Sequence, residues 1–94
     1  AMKNININKI RKKLDNVDVK LLNTIKERSL LVDQILNLKE NKREIIDQKR
    51  INFILKRIRK RSKKIKIDPN ITANIWKVMI KCFINYEFRK FKKK

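Results

Sequence analysis

The stretch NINKIRKKLDNVDVKLLNTIKERSLLVDQILNL, from Asn6 to Leu38, places Ile7, Ile10, Leu14, Val17, Leu21, Ile25, Leu31 or Val32, Ile35 and Leu38 at steps of three and four. That spacing predicts one amphipathic helix of about nine turns. At ~1.5 Å per residue the helix is roughly 50 Å long. Two shorter helices of the same chain cannot cover an apolar stripe of that length. A second copy of the chain is therefore the expected cover. The stripe has one gap, and Arg28 fills it.

Arg28 is one of three cations on or beside the seam, with Arg11 and Lys39. Lys and Arg are almost never fully buried unless paired. The chain holds only nine acids against 28 Lys and Arg, so protein acids are scarce as partners. Cations on an inward face then point to a ligand bearing carboxylates or phosphates. Arg28 and Lys39 are eleven residues apart, so they differ by only about 20° round the helix and stand ~16 Å apart along it. Long side chains can lean toward a small dianion between them. Arg11 lies seventeen residues before Arg28, ~25 Å away and about 100° round. It fits the equivalent site of an antiparallel second copy better than the site of its own chain.

The rest of the chain reads as two shorter helices. Lys39 to Arg43 is a polar connection. A second helix is expected from about Ile45 to Lys63, with Ile46, Ile51, Ile54, Leu55 and Ile58 apolar. Ser62 to Ile67 is a short basic linker. Asp68-Pro69 is a helix start, with Asp as N-cap and Pro at the first helical position. The third helix is expected from Pro69 to about Phe91, its apolar set including Trp76, Ile80 and Phe83. Residues 89–94 form a basic tail expected to fray. Ala1 ahead of Met2 reads as a tag remnant, and residues 1–4 are expected to lie outside the ordered fold. The expectation is one all-α domain over residues 1–94, with one long and two shorter helices in an intertwined homodimer.

Composition supports this and narrows the chemistry. The 94 residues include no Gly and one Pro, which disfavours hairpin-rich β folds. A chain this short has a thin core that oligomerisation can enlarge. His is absent and Cys82 is the one cysteine. No internal disulfide, zinc site or Cys/His catalysis is expected, and no cofactor. Cys82 itself reads as a small buried hydrophobe. No apolar run approaches the ~20 residues a membrane span needs, and a cytoplasmic chain is expected. The net charge of +19 suits an anionic partner. The chain is also rich in Lys, Ile and Asn throughout, as AT-biased coding favours. Net charge alone therefore argues weakly for nucleic acid, and basic runs such as Arg57-Arg59-Lys60-Arg61 read as solvated.

Two more groups join the seam cations. Asp47 and Arg50 lie in line with Ile54 and Ile58 of the second helix. Alone, they read as a surface pair worth a few tenths of a kcal/mol. Glu87 lies in line with Trp76, Ile80 and Phe83. It is the only acid after Asp68 and sits near a helix C-terminus, where the macrodipole disfavours an anion. Pairing with neighbouring Lys90 is the plain alternative to a functional role. Lys39 likewise suits the basic end of the first helix.

Taken in order, Ile10-Arg11-Lys12-Lys13-Leu14-Asp15-Asn16-Val17-Asp18, Leu21-Leu22, Glu27-Arg28, Leu31-Val32, Lys39, Asp47-x-x-Arg50 and Ile67-Asp68-Pro69 resemble the all-helical chorismate mutase family over nearly the whole chain. The resemblance implies three helices per chain, dimerised through the long first helices. It implies rearrangement of chorismate to prephenate, a pericyclic reaction that needs no nucleophile, metal or general base. Arg11 from the partner chain, Arg28 and Arg50 would hold the two carboxylates of the substrate. Lys39 would donate to the ether oxygen, and Asp47 would contact the ring hydroxyl.

Three positions depart from the family pattern. Ile51 stands where a hydroxyl-binding Glu is usual. Phe83 replaces a small polar residue. Glu87 occupies a position that is often Gln, a donor to the ether oxygen. A carboxylate donates only when protonated, so activity is expected to rise toward acid pH. Ile51 and Phe83 also resemble the isochorismate-pyruvate lyase branch, and an apolar residue at position 51 the aminodeoxychorismate mutase branch. A basic helical dimer that binds nucleic acid is the competing class, as is a degenerate mutase kept for dimerisation. The first of these leaves Arg28 in the seam unexplained.

Overall fold

The computed structural model describes the backbone of residues 2–92 and the side chains of residues 6–92. Ala1 and the end of the basic tail, Lys93 and Lys94, lie outside the described residues. The chain is all-α, with α1 (Met2–Leu38), a 3-10 turn (Lys42–Glu44), α2 (Gln48–Lys64) and α3 (Pro69–Lys90). Among the described residues there is no strand. One long and two shorter helices are the expected set. Helix α1 begins earlier than the apolar stripe, at Met2, and α3 keeps its helical form to Lys90.

Residues 1–32 and 33–94 form two compact units. The first is the greater part of α1. Its stripe faces outward in the single chain: Ile10 is 64% exposed and Leu14 56%, with Val17, Leu21 and Leu22 also exposed.

The second unit joins the end of α1 to the 3-10 turn, α2 and α3, with α2 packed on α3. Leu36, Ile45, Ala73 and Ile80 are its buried apolar residues. Where α2 meets α3, small residues permit close approach. Ser62 is buried, donates to the Ile58 carbonyl at 2.6 Å and shares a 2.6 Å hydroxyl hydrogen bond with Thr72. A buried hydroxyl with two partners avoids the desolvation penalty of an orphaned one.

The connections are built from caps. Asn41 and Glu44 form a capping box: the Asn41 side chain accepts from the Arg43 N–H at 3.1 Å, and Glu44 accepts from the Asn41 N–H at 2.9 Å. Ile45 is therefore not the start of the second helix but a buried anchor in the connection. Helix α2 starts later, with Asp47 as its N-cap accepting from the Arg50 N–H at 3.0 Å. Asp68 caps α3, accepting from the Asn70 N–H at 2.9 Å, with Pro69 in the first turn.

Cys82 corrects the expectation of burial, for its thiol is exposed. Ala73, Ile80 and Glu87, seven residues apart, mark the buried face of α3. Two residues beyond Ile80, Cys82 is turned ~200° from that face.

Helix α2 ends in a doubly bonded reversal. The Lys66 N–H donates to the Lys63 carbonyl at 3.2 Å and the Ile67 N–H to the Ser62 carbonyl at 3.0 Å. This pattern requires a left-handed residue after the cap, usually Gly. In a chain without Gly, Lys66 takes that conformation at φ 63°. A left-handed non-glycine residue costs roughly 1–2 kcal/mol. Lys66→Gly is expected to raise stability by about 1 kcal/mol in urea unfolding, a gain reduced by the greater freedom of Gly in the unfolded chain. Unchanged or lower stability would refute the strain argument.

Candidate active site

Two of the expected site residues, 48 positions apart, meet in the second unit. The Lys39 Nζ donates to the Glu87 Oε1 at 2.8 Å, with the two side chains 17% and 9% exposed. Lys39 lies just past the C-terminus of α1, where its N–H donates to the Leu36 carbonyl at 3.1 Å. A cation there is favoured by the α1 dipole. Glu87 is in the last turn of α3, where the dipole opposes an anion, and its burial adds a desolvation cost. The Lys39 ammonium offsets both. Glu87 thus takes Lys39 rather than neighbouring Lys90, whose Nζ stands 6.0 Å over the Tyr86 ring.

The sequence reading missed the bond that braces this pair. The Tyr86 hydroxyl donates to the Asp33 Oδ1 at 2.7 Å, tying α3 to the final turns of α1 beside the Lys39–Glu87 bridge. The bond to Asp33, then burial, then the negative charge of Asp33 raise the Tyr86 phenol above its ordinary value of 10.0, while Arg89 opposes them. Phe83, half-buried one turn before Glu87, meets the Tyr86 ring edge-to-face at 6.3 Å. The available signal was an acid, Asp33, on the helix that leads into Lys39.

The remaining residues are placed as follows. Asp47, the N-cap of α2, and Arg50 in its first turn are both exposed, with one Asp47 oxygen committed to capping. The Arg50 guanidinium lies over the Phe53 ring, 5.2 Å from its centroid. Ile51 is half-buried and its N–H donates to the Asp47 carbonyl at 2.9 Å. Arg11 and Arg28 belong to the first unit, Arg11 exposed and Arg28 half-buried. Among the described residues, no group of three or more Cys, Asp or Glu is placed to hold a metal ion. No helix among them is long and apolar enough to cross a membrane.

Removing one partner of a shielded ion pair leaves an uncompensated charge, which is more costly than removing both. Lys39→Met is therefore expected to lower stability by a few kcal/mol, and the Lys39→Met/Glu87→Met double variant by clearly less. A double variant at least as unstable as the single one would contradict this. For Tyr86, the raised folded value means the neutral phenol binds better in the native state. Its stabilisation is complete below pH ~10 and lost as pH rises through the raised value. Unfolding curves of Tyr86→Phe should show a smaller alkaline loss than those of the parent; identical losses would exclude the Asp33 bond as the cause.

The chain matches the family model described as chorismate mutase type II over residues 10–88. A protein of Methanocaldococcus jannaschii named "Chorismate mutase" is 38% identical over 72 residues, covering 76% of this chain and 73% of that protein. No solved structure matches the chain. The match takes in α1 from Ile10, the Lys39–Glu87 bridge and nearly all of α3, and the chain belongs to the chorismate mutase type II family.

Proposed function

We propose that this chain is a chorismate mutase acting in the cytoplasm as a homodimer, with no cofactor. Family membership over residues 10–88 carries the proposal. In the reaction the ether C–O bond breaks as a C–C bond forms, with no proton transferred and no covalent intermediate. Catalysis then consists of holding the substrate folded and stabilising charge on the ether oxygen. Arg28, Arg50 and the partner copy's Arg11 hold the two carboxylates. Lys39 donates to the ether oxygen, and low effective dielectric strengthens that interaction. Asp47 keeps one oxygen beyond its capping bond for the ring hydroxyl. The exposed stripe on α1 supports dimerisation, since a contiguous apolar face of this length is poorly tolerated by a monomer.

Glu87 gives the reading its internal test. It accepts from Lys39 at 2.8 Å, so the ammonium divides its attraction between Glu87 and the ether oxygen. Glu87→Gln removes that competing charge and supplies an N–H donor. Turnover of Glu87→Gln at pH 7 should exceed that of the parent several-fold; unchanged or lower turnover would count against Lys39 as the donor. Arg28→Ala should lose turnover by 100-fold or more while remaining dimeric in sedimentation.

Ile51 and Phe83 favour a second reading, isochorismate-pyruvate lyase on the same fold. An apolar residue at position 51 cannot hydrogen-bond a ring hydroxyl, and loss of such a bond relaxes discrimination sharply. Chorismate, isochorismate and aminodeoxychorismate offered separately would decide between them. Turnover of none would end the enzymatic reading and leave a degenerate dimerising module.

A further inference from the structure

Helix α2 carries a charge pattern that the reaction does not use. Nine of its 17 residues are Lys or Arg, and none is Asp or Glu. Ile51, Ile54, Leu55, Ile58 and Ser62 form its buried or half-buried face. At ~100° per residue, Lys49, Phe53, Lys56, Arg57, Lys60 and Lys64 gather on the opposite face within about 50° of its centre. All six are exposed, Phe53 by 51%. Phe53, Lys56, Arg57 and Lys60 line an open depression of about 440 Å³. The stripe runs ~22 Å along the helix.

From this placement we infer that the outward face of α2 is a docking surface for single-stranded nucleic acid. Like charges at i,i+3 and i,i+4 repel, and the stripe stacks several such pairs with no acid on the helix to relieve them. A phosphodiester chain supplies anions at regular short intervals and releases counterions on binding. Phe53, exposed among these cations, offers a ring on which an unpaired base stacks, and such stacking tolerates any sequence. A protein partner fits less well, because protein interfaces are depleted in Lys and need more than one apolar anchor. A membrane surface also fits less well, since Phe53 is the one large apolar group on this face.

The test uses the full chain and a fluorescent 20-nucleotide oligo-dT, titrated between 50 and 300 mM salt. Five phosphate contacts predict a slope of log affinity against log salt of about −3.5. The Lys56→Glu/Arg57→Glu/Lys60→Glu variant should bind at least tenfold more weakly and lose about two units of slope. Phe53→Ala should weaken binding about fivefold or more with the slope unchanged. Lys9→Glu/Lys12→Glu/Lys20→Glu on α1, an equal change in charge, should lose less than threefold. Equal loss in that control would overturn the inference, because binding would then follow net charge alone. Tighter binding to duplex DNA, to polyglutamate or to phosphatidylserine vesicles would overturn it too, as would an unaffected Phe53→Ala. Mutase turnover of the Lys56→Glu/Arg57→Glu/Lys60→Glu variant should not change, since none of those three residues belongs to the proposed active site; Phe53→Ala is left out of this comparison because its ring lies under Arg50.

Discussion

A chain with no glycine must reverse direction twice within the 33–94 unit, and its other features follow from how it does so. Side chains cap the starts of the new elements, and a left-handed lysine closes the end of α2 where glycine is usual. Asn41, Glu44, Asp47 and Asp68 absorb orphan N–H groups, and Lys66 accepts a left-handed backbone. These polar bonds set where α2 and α3 begin. They thereby set which side chains reach the thin interior of Leu36, Ile45, Ala73 and Ile80. With so little apolar volume enclosed, the polar ties Ser62–Thr72, Tyr86–Asp33 and Lys39–Glu87 hold elements in register that a larger core would hold by packing.

The Lys39–Glu87 bridge shows how a group can be locally unfavourable and still belong. Glu87 is misplaced with respect to the α3 dipole and well placed with respect to an ammonium at the end of α1. The same ammonium is the group that the proposed chemistry needs. In the proposed reaction, structural and chemical demands would converge on this one nitrogen, and the identity of residue 87 would tune both.

Much of the fold was legible because it is written in local signals. The three-and-four spacing of α1 and the Asp68-Pro69 start needed no knowledge of distant residues. The Asn41-x-x-Glu44 box is equally local, but its polar residues resemble an ordinary connection, so hydrophobic spacing alone extends the second helix back to Ile45 and puts Asp47 inside it. Cys82 was misjudged from residue type, when its angle from Ile80 on α3 was the better guide. In the site, Arg28 stood out because it interrupts a pattern. The Lys39–Glu87 and Asp33–Tyr86 pairs were not legible as pairs, because partners 48 and 53 positions apart are chosen by packing and not by spacing.

The chain has one tryptophan, Trp76, half-buried on α3 within the 33–94 unit. Its emission therefore reports on that unit, whereas far-ultraviolet ellipticity weighs all the helical residues, most of α1 included. The native protein thus carries two optical signals with different addresses. Coincident melting by both would mean that α1 and the capped bundle rise and fall as one cooperative body, and separate transitions would resolve two. The cohesion of the long helix with the rest of the chain can be followed without a label.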